Sequence, residues 1–245
     1  MIEKLGPEAS EEDNLNASSI LQDALETKEF YTVVSRRNNV SKMLDYALPQ
    51  DVSKVNVDSQ NAALGVLTQL VSLYTDRKKE KERRKANEDE DEETTVQQSD
   101  EEEESAEGNF LETLASNIPR IVSFLELATS PRSELETSYE IKIVPLGSLR
   151  LKLIEFLYHL MKLNKDSILV ALGHSSFFEK VSSLIETYPW NNFLHLKAIA
   201  LYEDLFECPN IAFRKEALHS SNIGQTLVTL ANKANFDHSS GRSIR

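Results

Sequence analysis

From Pro145 to Phe206 apolar residues are so dense that the polar positions carry the pattern. The stretch opens PLGSLRLKLIEFLYHLMKL. Within it Lys152, Glu155, His159 and Lys162 recur at helical spacing as one polar stripe. Leu149, Leu151, Leu153, Ile154, Phe156, Leu157, Tyr158, Leu160, Met161 and Leu163 fill the remaining positions. A helix this apolar must be covered over most of its circumference, and only the helices before and after it can do that. Downstream, Ile168 to Leu172 predict a short helix ended by Gly173. Ser175 or Ser176 caps the next, with Phe177, Phe178, Val181, Leu184 and Ile185 on one side, and Pro189 breaks it. Asn191 or Asn192 caps a helix running to Phe206, with Phe193, Leu196, Ile199, Ala200, Leu205 and Phe206 read as inward. Pro209 starts a helix through Leu218, and Ile223 to Ala234 forms the last.

The first half is patterned more weakly. Residues 1–16 are polar and acidic, the composition of a disordered tail. Ser18 or Ser19 caps a turn carrying Ile20, Leu21, Ala24 and Leu25, and Phe30 to Val34 continue it or form a second short helix. Asn39 is placed to cap Val40, Met43, Leu44 and Ala47, and Pro49 stops that helix. Val52 to Val57 alternate weakly and read as a loop rather than a brief strand. Asp58 or Ser59 then caps a stronger helix with Ala63, Val66, Leu67, Leu70, Val71 and Tyr74 on one face, where Gly65 suggests close approach of a neighbour. Residues 76–108 are a basic block followed by an acidic one; the basic half can prolong the preceding helix, and the rest reads as a disordered loop. Periodicity resumes at Asn109 and continues to Leu127, with Pro119 expected to kink or divide the segment. A connector follows, and Pro145 stands where the next helix is expected to begin.

About ten helices in series predict an all-α chain, an irregular α-solenoid of HEAT or armadillo-like repeats. The alternative is an irregular globular helical domain. The expected divisions are a tail over 1–16, helices over 17–75, the charged loop over 76–108, helices over 109–236, and a flexible, truncated end over 237–245.

Composition changes this picture little. Seven glycines and seven prolines are few for a fold with many tight turns. The single cysteine, Cys208, leaves no intrachain disulfide and fits a reducing compartment, cytoplasmic or both cytoplasmic and nuclear. The net charge of −13 is local, because Glu88 to Glu107 holds twelve acidic residues and no basic ones. The remainder is close to neutral, with no basic footprint for nucleic acid. No apolar run reaches the ~18 residues that span a bilayer, and the acidic N-terminus is no signal peptide, so no membrane partner is expected.

Candidate chemistry is sparse. Five histidines are scattered, with none at metal-ligand spacing from a cysteine or carboxylate. No phosphate-cradling glycine loop, HExxH or GxSxG occurs. No enzyme activity, cofactor or metal is expected, and Cys208 reads as a partly buried structural thiol. Ser99 precedes Asp100, Glu101 and Glu102, the context that acidophilic kinases prefer; the other reading of this stretch is a solvated spacer. Arg150 lies nearly opposite the Lys152 stripe, on the face that must be covered. It therefore needs a carboxylate or carbonyl partner, either inside the chain, locking neighbouring helices, or on a binding partner. In YPWNNFLH, residues 188–195, one asparagine suffices as a cap. Asn191 or Asn192, together with His195, is then left as a polar ridge toward a partner or an adjacent helix.

PLGSLRLKLIEFLYHLMKLN followed at this distance by YPWNNFLH resembles the SAPS family, regulatory subunits of type-2A-like serine/threonine phosphatases of the protein phosphatase 6 class. Pro145, Leu146, Gly147, Arg150, Leu151, Lys152, Ile154 and Glu155 match the first signature, and Tyr188 through His195 the second. ALGVLTQLVSLY and IPRIVSFLEL are similar to family segments in the same order, so the resemblance covers roughly residues 35–245. It implies a non-catalytic scaffold that binds a type-2A-like phosphatase catalytic subunit and directs it to substrates, with Arg150, Asn191, Asn192 and His195 as partner-binding candidates. A general helical adaptor without a phosphatase is the alternative.

Overall fold

The computed structural model describes residues 27–49, 57–87, 97–127, 135–136 and 142–239. The expected disordered tail, the Ser18–Leu25 turn and the weak alternation over 52–56 lie outside the described residues. The chain divides into two compact units, Met1–Ser116 and Asn117–Arg245.

The first unit contains α1 (Lys28–Val34), α2 (Arg37–Ala47), α3 (Val57–Asn87) and the first half of α4 (Gln97–Leu127). α1 packs on α2, and α2 along α3. Val40, Leu44 and Ala47 of α2 are buried, as are Ala63, Val66, Leu67, Leu70, Val71 and Tyr74 of α3, the face that the spacing predicts. Tyr74 meets Phe110 of α4 with ring centroids 6.2 Å apart. The last carbonyls of a helix lack partners within it. Gln60 Nε2 meets this need by donating to the Ala47 carbonyl at 3.0 Å. Asn39 is not the cap of α2: Arg36 stands at that position, and Asn39 Nδ2 instead donates to the Val33 carbonyl at 2.7 Å. Gly65 marks no close approach, since a Cβ there would meet nothing within 4 Å.

α3 continues to Asn87, the prolongation expected of the basic half. Residues 88–96 lie outside the described residues, and α4 begins at Gln97, so helix replaces the expected loop over 97–108. Lysine, arginine and glutamate are good helix formers, and a helix already anchored by a buried face propagates through them without further burial. The Lys78–Glu82 pair at 3.6 Å is the spacing such a helix supports. Pro119 does not divide α4, which runs through it. Phe110, Leu114, Ile118, Ile121, Val122 and Leu125 are buried on both sides of the proline, and that burial outweighs the one backbone hydrogen bond proline cannot make.

The second unit begins within α4. The connector holds a two-residue antiparallel pair that the sequence reading does not contain, β1 (Leu135–Glu136) with β2 (Lys142–Ile143), Leu135 opposite Ile143. Six helices follow: α5 (Ser148–Lys162), α6 (Asp166–Gly173), α7 (Phe177–Thr187), α8 (Asn192–Glu207), α9 (Ile211–Ser221) and α10 (Ile223–Ser239). α10 thus takes in 237–239, expected to be flexible. Pro145 is not at the first helical turn. α5 starts at Ser148 behind Gly147, whose φ of 93° and ψ of 146° an L side chain resists.

α5 packs on α8, α6 on α9 and α7 on α10, and α7 also packs on α8 and, most extensively, on α9. In the first three pairs the first residues are 44, 45 and 46 positions apart, Ser148 to Asn192, Asp166 to Ile211 and Phe177 to Ile223. Phe177, Phe178, Tyr202 and Phe213 form an aromatic chain with centroids 5.1 to 6.4 Å apart through α7, α8 and α9. Ser182 and Tyr202 share a buried hydrogen bond of 2.8 Å between their hydroxyls. Gly173 lets α6 approach α9: a Cβ there would lie 2.9 Å from Glu216 Oε2 and 3.5 Å from the Phe213 ring.

Candidate functional site

Four of the predicted site residues, Arg150, Asn191, Asn192 and His195, lie in the second unit. Leaving α7, Tyr188 caps it by donating its N–H to the Leu184 carbonyl, and Pro189 prevents further helix. Trp190 follows, and the Asn191 Oδ1 accepts from Leu194 N–H at 3.0 Å, which starts α8. Opposite lies Val144–Leu146, with Leu146 buried as its anchor. Between the two segments is a groove of about 740 Å³, lined by Val144–Leu146 and Thr187–Phe193.

Arg150 joins the two segments. It is 3% exposed, as its place on the covered face predicts. Its partners lie within the chain: Nε donates to the Leu125 carbonyl at 3.0 Å, and a terminal nitrogen to Tyr188 Oη at 2.7 Å. No carboxylate is needed, because Leu125 lies in the last turn of α4, where unpaired carbonyls and the helix dipole present partial negative charge. α4 has no basic residue there, so other helices provide it. Lys180 of α7 donates to the Val122 carbonyl at 3.3 Å and pairs with Glu126 at 3.2 Å. With its guanidinium buried, Arg150 positions Tyr188 beneath the groove.

Asn191 is the cap and Asn192 the exposed amide, and both line the groove. His195 is half-buried on the next turn, and its Nε2 is sheltered with no partner. Ser99 falls in the first turn of α4, in the other unit. Cys208 is buried, its Sγ 3.9 Å from Asn164 Oδ1.

The inward face assigned to α8 is wrong. Phe193, Leu196, Ile199 and Phe206 are 73%, 65%, 54% and 56% exposed, whereas Leu194, Ala198, Leu201, Tyr202 and Leu205 are buried. Only Leu205, read as inward, is in the core. The polar stripe of α5 borders α8 through Glu155 and Lys162. Glu155 pairs with Lys197, and Asp204 accepts from Tyr158 Oη at 2.6 Å and lies 3.1 Å from Lys162 Nζ. The Tyr158 hydrogen bond, then the Lys162 ammonium, hold the Asp204 carboxyl below its usual range despite partial burial. Burial lowers His159, with Glu155 opposing the shift and Lys197 and Lys162 adding to it. The signal that could have set the face is the pairing of Lys197 and Asp204 with Glu155 and Lys162. Taking every polar residue as outward hides it.

No group of three or more histidine, cysteine, aspartate or glutamate side chains suited to a metal ion occurs among the described residues. No single helix there is long and apolar enough to cross a membrane. What the second unit presents, among the described residues, is a mainly helical body with an uncharged groove and an apolar helix face beside it. The chain belongs to the SIT4 phosphatase-associated protein family (SAPS), whose family model matches residues 13–172. The matched span includes PLGSLRLKLIEF and ends before YPWNNFLH. No curated protein and no solved structure matches the chain.

Proposed function

We propose that the chain is a non-catalytic regulatory or scaffold subunit that binds a type-2A-like serine/threonine phosphatase catalytic subunit and directs it to substrates. Family membership supports the phosphatase association. The observation that carries the binding role is the outer face of α8, where Phe193, Leu196, Ile199 and Phe206 stand in water. Their exposed area is on the order of 400 Å², the size of the largest and often functional patch on a monomer. Burying it supplies ~10 kcal/mol at ~25 cal/mol per Å², comparable to the cost of association. Asn192 lies on this face and His195 borders it, a polar margin around an apolar centre.

The packing of α5 on α8, α6 on α9 and α7 on α10, with its 44-to-46-residue spacing, supports reading the second unit as an armadillo-like stretch of an irregular α-solenoid, an architecture that offers extended binding surfaces.

The test is affinity purification of the tagged chain with mass-spectrometric identification of what it retains. A type-2A-like catalytic subunit, lost on Leu196→Lys with Ile199→Lys, is expected. Recovery of other partners without any phosphatase favours a general adaptor and rejects the proposal.

A further inference from the structure

The groove beneath Trp190 differs in chemistry from the α8 face. We propose that it docks a proline-rich, uncharged linear segment of a partner protein in the polyproline II conformation.

Its volume of about 740 Å³ lies within the range of ligand clefts. Neither wall, Val144–Leu146 or Thr187–Phe193, carries an acidic or basic side chain. A charged segment entering it would lose hydration and meet no counter-charge among the described lining residues. Acidic and phosphorylated peptides are thereby disfavoured, and an uncharged occupant is the complementary one.

The remaining surface suits prolines. Trp190 is 50% exposed and Phe193 more so, with Pro145 and Pro189 beside them in the lining. Aromatic-lined grooves are the surfaces on which proline-rich segments dock. A polyproline II strand makes no internal hydrogen bonds, so its carbonyls need outside donors. Two donors in the lining, Trp190 Nε1 and Asn192 Nδ2, have no partner among the described residues. Asn191 is excluded from this role because its oxygen caps α8. The Val144–Leu146 wall is three residues long, about one polyproline turn of ~9 Å. An amphipathic helix would need anchors over several turns. The occupant is not another part of this sequence, whose seven prolines stand singly with no two within three residues of each other.

This inference does not rest on phosphatase association, and its test is independent of it. Trp190 is the only tryptophan in the chain, so its emission reads the groove directly. The full chain is titrated with end-blocked (Pro-Pro-Leu)₃, with (Gly-Gly-Leu)₃ and (Pro-Pro-Glu)₃ as controls, and with an uncharged amphipathic helical peptide. Emission and calorimetry are both followed. A saturable blue shift with (Pro-Pro-Leu)₃ is expected, at least about ten-fold weaker with each control and with the helical peptide. Asn192→Ala and Phe193→Ala should each weaken binding by about ten-fold while thermal melting stays unchanged. Absence of both heat and emission change overturns the proposal. Equal binding of the glycine or glutamate peptide overturns it too, as does tighter binding of the helical peptide. A blue shift that depends on protein concentration alone, with dimers in sedimentation, assigns the groove to a second copy and overturns it as well.

Discussion

Removing the Arg150 side chain tests how the two signature segments are held together. Arg150→Ala deletes the hydrogen bonds to the Leu125 carbonyl and to Tyr188 Oη. Each joins a charged donor to a neutral acceptor, a class worth about 1.5–3 kcal/mol. Relief of the guanidinium's own desolvation offsets part of that loss, and the truncated side chain leaves space in a covered site. The net cost is about 3–5 kcal/mol, or a melting temperature lower by roughly 10 °C. Arg150→Lys should recover little, because one ammonium cannot reproduce a fork directed at two acceptors. The assay is a double-mutant cycle with Tyr188→Phe, followed by urea unfolding read at Trp190, which lies in the same unit. A coupling of about 1.5–3 kcal/mol is expected. Coupling below ~0.5 kcal/mol would show that the Arg150–Tyr188 bond holds nothing in place, and the account of the groove floor would fail with it.

Gly147→Ala should destabilise the second unit by about 1–3 kcal/mol in urea unfolding, since φ 93° with ψ 146° is open essentially to glycine alone. Asn191→Ala should cost about 1 kcal/mol through loss of the cap, while Asn192→Ala stays within ~0.5 kcal/mol of wild type; equal effects would mean the cap is misassigned. Burial lowers the pKa of His159 in the folded chain, so the unfolded chain binds its proton more readily. The associated stability is complete above the ordinary histidine value near 6.5 and is lost as pH falls through that value toward the folded pKa. Melting curves from pH 7.5 to 5 should show this loss, and His159→Gln should flatten it.

Where one face of a helix is apolar and the other polar, the sequence already shows the structure. The buried sets of α3 and the second half of α4 follow from spacing alone, because polar residues such as Asp58, Thr68 and Gln69 in α3 and Glu112, Ser116 and Glu126 in α4 fill the other sides. Arg150 is legible for the same reason, as the one charge out of place on an apolar face. α8 is not legible, since Leu194–Leu205 and Leu196–Phe206 are both apolar rows and periodicity cannot rank them. The choice is made by tertiary pairing of Lys197 and Asp204 with α5. The basic run after Tyr74 is legible as a prolongation, since it lacks a core yet has the propensity to extend a helix that has one, whereas the helix over 97–108 is not legible in its acidic composition. Of the candidate site, the cap and the exposed amide could be narrowed to Asn191 or Asn192 from sequence. The groove could not be read there, because Val144–Leu146 and Thr187–Phe193 are about forty residues apart and come together only in the folded unit, where Arg150 bonds Tyr188.

The central claim is tested most directly by mixing the purified chain with a purified type-2A-like catalytic subunit and measuring association by calorimetry. The account predicts a saturable complex with one chain per catalytic subunit. It also predicts that Leu196→Lys with Ile199→Lys, which touches only exposed positions, leaves the melting curve in place and weakens binding by a hundred-fold or more, about 3 kcal/mol. A chain that binds no such subunit, or a folded double variant that binds as tightly as wild type, would contradict it.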